Sequence, residues 1–190
     1  MNLTRRYVSA SAMAMAAVGA VGPFMAPVAH ADDRDRLASS GMEALQRLEA
    51  TDQRARYLAR GAKAILVFPS ILKAGFVFGG ETGNGVLLVD GRPAGYYNLS
   101  GGSWGLQIGG QDFGYALFFM TDSSLSYLKR VEGFQAGTGP SIVVVNKGAG
   151  AEADTTTLTH DVYAFPFNQK GLMADLTLQG TKITRIHPHD

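Results

Sequence analysis

Gly101-Gly102-Ser103-Trp104-Gly105 satisfies G-x-S-x-G, the spacing that presents a nucleophilic serine in one large class of hydrolases. His160 is available as a base, and Asp112 or Asp161 as the acid that would orient it. Such an elbow needs a strand before the serine and a helix after it, yet Leu106 to Met120 reads as strands. A glycine-lined β turn is the better account of Ser103, and a serine hydrolase stands third among the readings. Metal chemistry has less to work with. There is no cysteine, and His187 and His189 sit in a proline-interrupted tail, so no convergent ligand set is visible and neither metal nor cofactor is expected. Gly83-Asn84-Gly85 leads into strand-like Val86 to Val89 rather than a helix, which removes the usual phosphate cradle. The acids Glu81, Asp90, Asp112, Asp122 and Asp161 mostly fall at expected turns or strand ends, where solvation is the ordinary fate of a carboxylate.

The elements that must position these residues begin with helices. Leu37, Gly41, Ala44, Leu45 and Leu48 recur at helical spacing between 33 and 50, and Thr51-Asp52 caps a second helix from Gln53 to about Ala62, with Tyr57, Leu58 and Ala62 on one face. Both read as packing elements. The acids of the first nearly balance its arginines, which counts against a membrane-surface helix. Composition then shifts: 19 of the 24 glycines lie between Gly61 and Gly150, among Val, Ile, Phe, Tyr and Leu. Strands are expected at 64–68, 75–82, 85–90, 94–100, 104–108 and 111–120, with turns at Asp90-Gly91 and at Gly83-Asn84-Gly85. Alternation in Tyr115-Leu117-Phe119 suggests one buried and one wet face. A short helix follows at 123–130, capped by Thr121-Asp122. Then come a strand at 141–146, a loop at 148–157, a hairpin of 161–167 with 172–178, and a last strand at 182–186. The class is α+β: a mainly antiparallel, curved or barrel-like, glycine-rich sheet with N-terminal helices and one short helix near 123–130.

The first residues add an address. Arg5 and Arg6 precede an uncharged run from Val8 to Val21, and Ala29 and Ala31 place small residues before Asp32-Asp33. This is the order of a signal peptide, 1–31, cleaved after Ala31, and the run is too short to span a bilayer. Thr4-Arg5-Arg6-Tyr7-Val8 is also similar to a twin-arginine export signal. Residues 32–190 are then expected to form a single domain, periplasmic or otherwise exported, with a position peripheral to a membrane left open. Without Arg5 and Arg6 the 17 basic residues become 15 against 16 acids, a net charge of −1. A near-neutral domain lacks the basic stripe that nucleic-acid binding requires.

Four long segments carry a resemblance: GAKAILVFPSILKAGFVFGGETGNG from Gly61, GGSWGLQIGGQDFGYALFFMTD from Gly101, GTGPSIVVVNKG from Gly137 and YAFPFNQKGLMADLTLQGTKI from Tyr163. Together they resemble the SYLF domain, in family order and at family spacing, over about Leu45 to Ile186. The resemblance implies a compact α+β domain that binds phospholipid head groups without catalysis, metal or cofactor. Actin binding belongs to eukaryotic members and is not expected of an exported chain; protein partners stay open. The positions matching the family motifs are Lys73, Gly75, Gly79, Gly80, Gly85, Ser103, Trp104, Gly105, Gln107, Gly109 and Gly110. Adding the segment Phe68 to Lys73, which reads as a loop with apolar residues beside a cation, the candidate lipid-binding residues are Ile71, Leu72, Lys73, Gly75, Ser103, Trp104 and Gln107. The leading expectation is non-enzymatic binding of anionic phospholipid. The alternative is a structural or protein-interaction module of the cell envelope that uses a strand edge or the loop 148–157.

Overall fold

The computed structural model describes residues 30–75, 78–104, 111–130, 134–135, 139–145, 160–168, 178 and 180–187. Two helices come first, α1 (His30–Thr51) and α2 (Gln53–Gly61). Asp52 separates them in extended conformation, and its carboxylate accepts the Arg54 amide at 2.9 Å as the N-cap of α2. Arg56 reaches back from α2 to donate to the Glu49 carbonyl, closing the end of α1. Tyr57 does not share the packed face of Leu58. It is 49% exposed, because Ala55 and Leu58 set the buried side.

The strands are β1 (Ala64–Gly75), β2 (Phe78–Val89), β3 (Arg92–Trp104), β4 (Gln111–Phe119), β5 (Phe134–Gln135), β6 (Ile142–Val144), β7 (Val162–Phe167) and β8 (Thr181–Ile186), with helix α3 (Asp122–Arg130) after β4. They form one curled, half-barrel sheet in the order β5-β8-β3-β2-β1-β4-β7-β6, antiparallel except for the β6–β7 pair. Asp90 and Gly91 make the expected two-residue turn, both at positive φ (49° and 73°), which suits the twist of the β2–β3 hairpin.

The second expected turn is absent. Gly83, Asn84 and Gly85 run straight through β2, paired with Leu99, Asn98 and Tyr97. Their glycines answer a different need: a Cβ on Gly85 would lie 2.7 Å from the Val67 carbonyl, and one on Gly83 would lie 2.6 Å from that of Ser70. The missing side chains let β1 and the Phe68 ring come close. The strands expected at 75–82 and 85–90 are therefore one. The residues expected as the strand at 104–108 beyond Trp104, the loop at 148–157 and the strand at 172–177 lie outside the described residues.

Alternation sorts the sheet into two apolar layers. Leu66, Phe68, Leu87, Leu99, Leu117 and Phe119 line the concave face with Leu125 and Leu128 of α3. Val67, Val86, Leu88, Ala116 and Phe118 line the convex face beneath Ala44, Leu48, Ala55 and Leu58 of α1 and α2. The wet face expected for β4 is thus dry, since every residue from Phe113 to Phe119 is buried.

Candidate functional site

The segment from Phe68 to Lys73 is not a loop but the middle of β1, broken by a bulge. Phe68 and Ile71 face Tyr115 and Phe113 of β4, so three steps on β1 match two on its neighbour. The ladder to β2 shows the same single extra residue between Val67 and Leu72. Pro69, which has no amide to offer a ladder, falls in this irregular stretch. Ser70 donates to the Asp112 carboxylate at 2.7 Å.

The bulge resets which face each following residue takes. Ile71 is fully buried against the concave core, as a core residue would be. Leu72 turns to the convex side beyond the reach of α1 and α2, and is 54% exposed between Thr82 and Asp112. Lys73, half-buried, returns to the concave side opposite Glu81.

Glu81 is the residue that sequence reasoning missed. It was expected among solvated acids, but it stands inside β2 and is only 7% exposed. Its place on the concave face follows from parity with Gly83, Gly85 and Leu87, a clue the false turn at Gly83-Asn84-Gly85 concealed. One cross-strand row holds Lys73, Glu81, Gly101 and Thr181. A Cβ on Gly101 would lie 3.3 Å from Glu81 Oε1, so the carboxylate leans over β3. Among the described residues it has no hydrogen-bond donor or ion-pair partner. Burial pushes its carboxyl above the usual carboxylate range, against the opposing pull of the Lys73 charge.

Of the other expected positions, Gly75 pairs with Gly79, Ser103 faces Gly79 and Trp104 faces Phe78 across the β2–β3 ladder. Gln107 lies outside the described residues, with Gly105, Gly109 and Gly110. The candidates Lys73, Gly75 and Ser103 therefore gather at one end of the sheet.

The hydrolase constellation does not form. Val162 is level with Phe119 and Ala64, whereas Ser103 is level with Gly79 and Gly75, so His160 and Ser103 belong to opposite ends of strands about 35 Å long. Asp161 accepts from Thr121 Oγ1 at 3.1 Å and from Ser141 Oγ at 3.2 Å, tying together the starts of α3, β6 and β7. Among the described residues no three His, Asp or Glu side chains gather to hold a metal ion, and no helix is long and apolar enough to cross a membrane.

What remains is a curled-sheet α+β domain with a polar row at one end of its concave face and an exposed apolar residue on the convex face beside it. Residues 100–187 match the family model Ysc84, described as Las17-binding protein actin regulator, consistent with a member of the SYLF domain family. No curated protein matches the chain.

Proposed function

We propose that this domain binds anionic phospholipid without catalysis, docking peripherally on an envelope membrane. The carrying observation is the pair at the bulge: Leu72, 54% exposed on a part of the convex face that α1 and α2 leave uncovered, followed by half-buried Lys73. An exposed apolar side chain suits insertion at the boundary between acyl chains and head groups, and Lys73, next in the chain but on the opposite face of the sheet, brings a cation to the same end of β1. The association of the SYLF family with lipid binding agrees. Flotation of the mature domain with liposomes, with and without anionic lipid, tests this. Co-flotation that depends on anionic lipid is expected, and none with either composition sinks the reading.

The signal-like segment 1–31 supports export, with cleavage after Ala31 and use of the twin-arginine route. Replacing Arg5 and Arg6 by lysine keeps the charge and should strand precursor in the cytoplasm; undiminished export would assign the general route. A second reading, an envelope protein-interaction module, draws on the matched family's description as a Las17-binding actin regulator. Capture of one protein partner by a domain that ignores liposomes would favour it.

A further inference from the structure

Beyond Lys73 and Glu81, β1 and β2 carry no further side chain on the concave face. The next positions there are Gly75 and Gly79, which stand opposite each other, with Ser103 across the ladder from Gly79. Gly101, beside Glu81 on β3, adds a third neighbouring position that offers backbone alone to anything approaching this end of the sheet. Gly101 also seats the acid. A Cβ there would meet Thr181 at 3.0 Å and Glu81 Oε1 at 3.3 Å, so the carboxylate lies against the space that the missing side chain leaves.

The two charged groups of the row do not satisfy each other. Lys73 and Glu81 face one another across the β1–β2 ladder, yet among the described residues no ion pair joins them. Thr181, on the far side of Gly101, donates its hydroxyl to the Leu178 carbonyl at 2.6 Å and so not to Glu81. A carboxylate on a residue only 7% exposed is costly without a donor, because no hydrogen bond offsets its lost hydration. Facing positions of this kind stand about 5 Å apart, a span that one small head group can bridge.

We propose that Lys73 and Glu81 form a head-group site for a phosphate ester that carries hydroxyl groups, as phosphoglycerol does: Lys73 holds the phosphate, and the Glu81 carboxylate accepts a hydroxyl hydrogen. The class of ligand follows from the pair. A phosphate without a donor would bring its charge beside Glu81 with no hydrogen bond to offset the repulsion, and an uncharged polyol would leave Lys73 without an anion. The inference rests on the reading of the domain as a binder of anionic phospholipid, and it adds which anionic head is selected and by which residue.

The test compares two lipids of equal charge. Phosphatidylcholine vesicles carrying either phosphatidylglycerol or phosphatidylmethanol, which lacks the hydroxyls, are offered to the mature domain in a flotation assay. Binding to phosphatidylglycerol is expected to be about tenfold tighter, the scale of one hydrogen bond to a charged acceptor. Glu81→Gln keeps an uncharged acceptor and should retain a preference of about threefold, whereas Glu81→Met, with no oxygen to accept, should bind the two lipids alike. Soluble glycerophosphoglycerol, followed by amide NMR shifts, probes the head alone, and shifts at Lys73 and Glu81 are expected. Preference in flotation with no shift from the soluble head would support the site and restrict its ligand to the lipid. Shifts without flotation would sink the membrane-docking reading and leave the site, its ligand then a free phosphoglycerol. Equal flotation on the two lipids, or a preference that survives in Glu81→Met, would overturn the site and leave docking standing. Absence of both flotation and shifts would overturn both.

Discussion

The rings of Phe119 and Phe134 meet edge to face at 6.2 Å, although four strands separate β4 from β5 in the order of the sheet. Laid flat, those strands would stand about 24 Å apart. The contact is therefore a direct measure of curl. Tyr127 of α3 adds a second edge-to-face contact to Phe134 at 5.6 Å, so the helix and the shortest strand together stop the open side of the concave core. Phe134→Ala should cost about 3–5 kcal/mol, the usual loss for a buried phenylalanine, read as a lower urea midpoint. A loss below about 1 kcal/mol would show that the curl does not depend on this stopper.

The glycines of the β2–β3 hairpin should separate by role. Gly85→Ala would drive a Cβ to 2.7 Å from the Val67 carbonyl and is expected to cost about 1–3 kcal/mol or more. Gly91→Ala meets no neighbour but must keep a φ of 73°, at about 1–2 kcal/mol. Gly102→Ala meets nothing within 4 Å and should be close to neutral. Thermal unfolding of the three variants would test the ranking.

Local patterns explain what could be read beforehand. Asp90-Gly91 announced its turn because this pair readily takes the positive-φ conformation that a two-residue hairpin loop favours, and Thr121 announced α3 because its hydroxyl accepts the Ser124 amide. The bulge at Pro69 and Ser70 was illegible. It depends on how two neighbouring strands both accommodate one extra residue, which no window within β1 contains. The same non-local cause hid Glu81: a glycine followed by asparagine and glycine looks like a turn until the close approach of β1 is known. Of the candidate lipid residues, Leu72 has the exposure that insertion into a lipid surface would need, while Ile71 lies in the core.

Glu81 should leave a mark on the pH dependence of stability. Its folded-state pKa is raised by burial, so its favourable contribution is complete below the unfolded value and is lost as pH rises through the folded one. Glu81→Gln removes that loss. The variant should be more stable than wild type near neutrality by about 1 kcal/mol, an ordinary cost for an unsatisfied buried group, with the difference shrinking toward pH 4. A variant less stable than wild type at pH 7 would show that the Lys73 charge outweighs desolvation.

Leu72 and Ile71 are adjacent in sequence and opposite in consequence. Leu72→Asp should leave the unfolding midpoint within about 0.5 kcal/mol of wild type, as for most surface changes, while reducing liposome co-flotation roughly tenfold through the loss of one inserted side chain. Lys73→Gln should reduce co-flotation about fivefold on anionic vesicles, the worth of one cation near the surface, and not on neutral ones. Ile71→Asp should unfold the domain. Unchanged co-flotation by both the Leu72 and the Lys73 variants would move the membrane contact elsewhere on the surface.

The order of strands in the sheet also sets the order in which a growing chain can complete it. β1, β2 and β3 are consecutive in sequence and adjacent at the centre, so this meander closes only short loops. Its two edges wait on very different lengths of chain. The β1 edge is covered as soon as β4 is made, whereas the β3 edge stays bare until β8, after every other strand. The six residues from Thr181 to Ile186 are thus the guard of the longest-exposed edge, and a chain shortened before them would offer β3 to any other chain with a strand to pair.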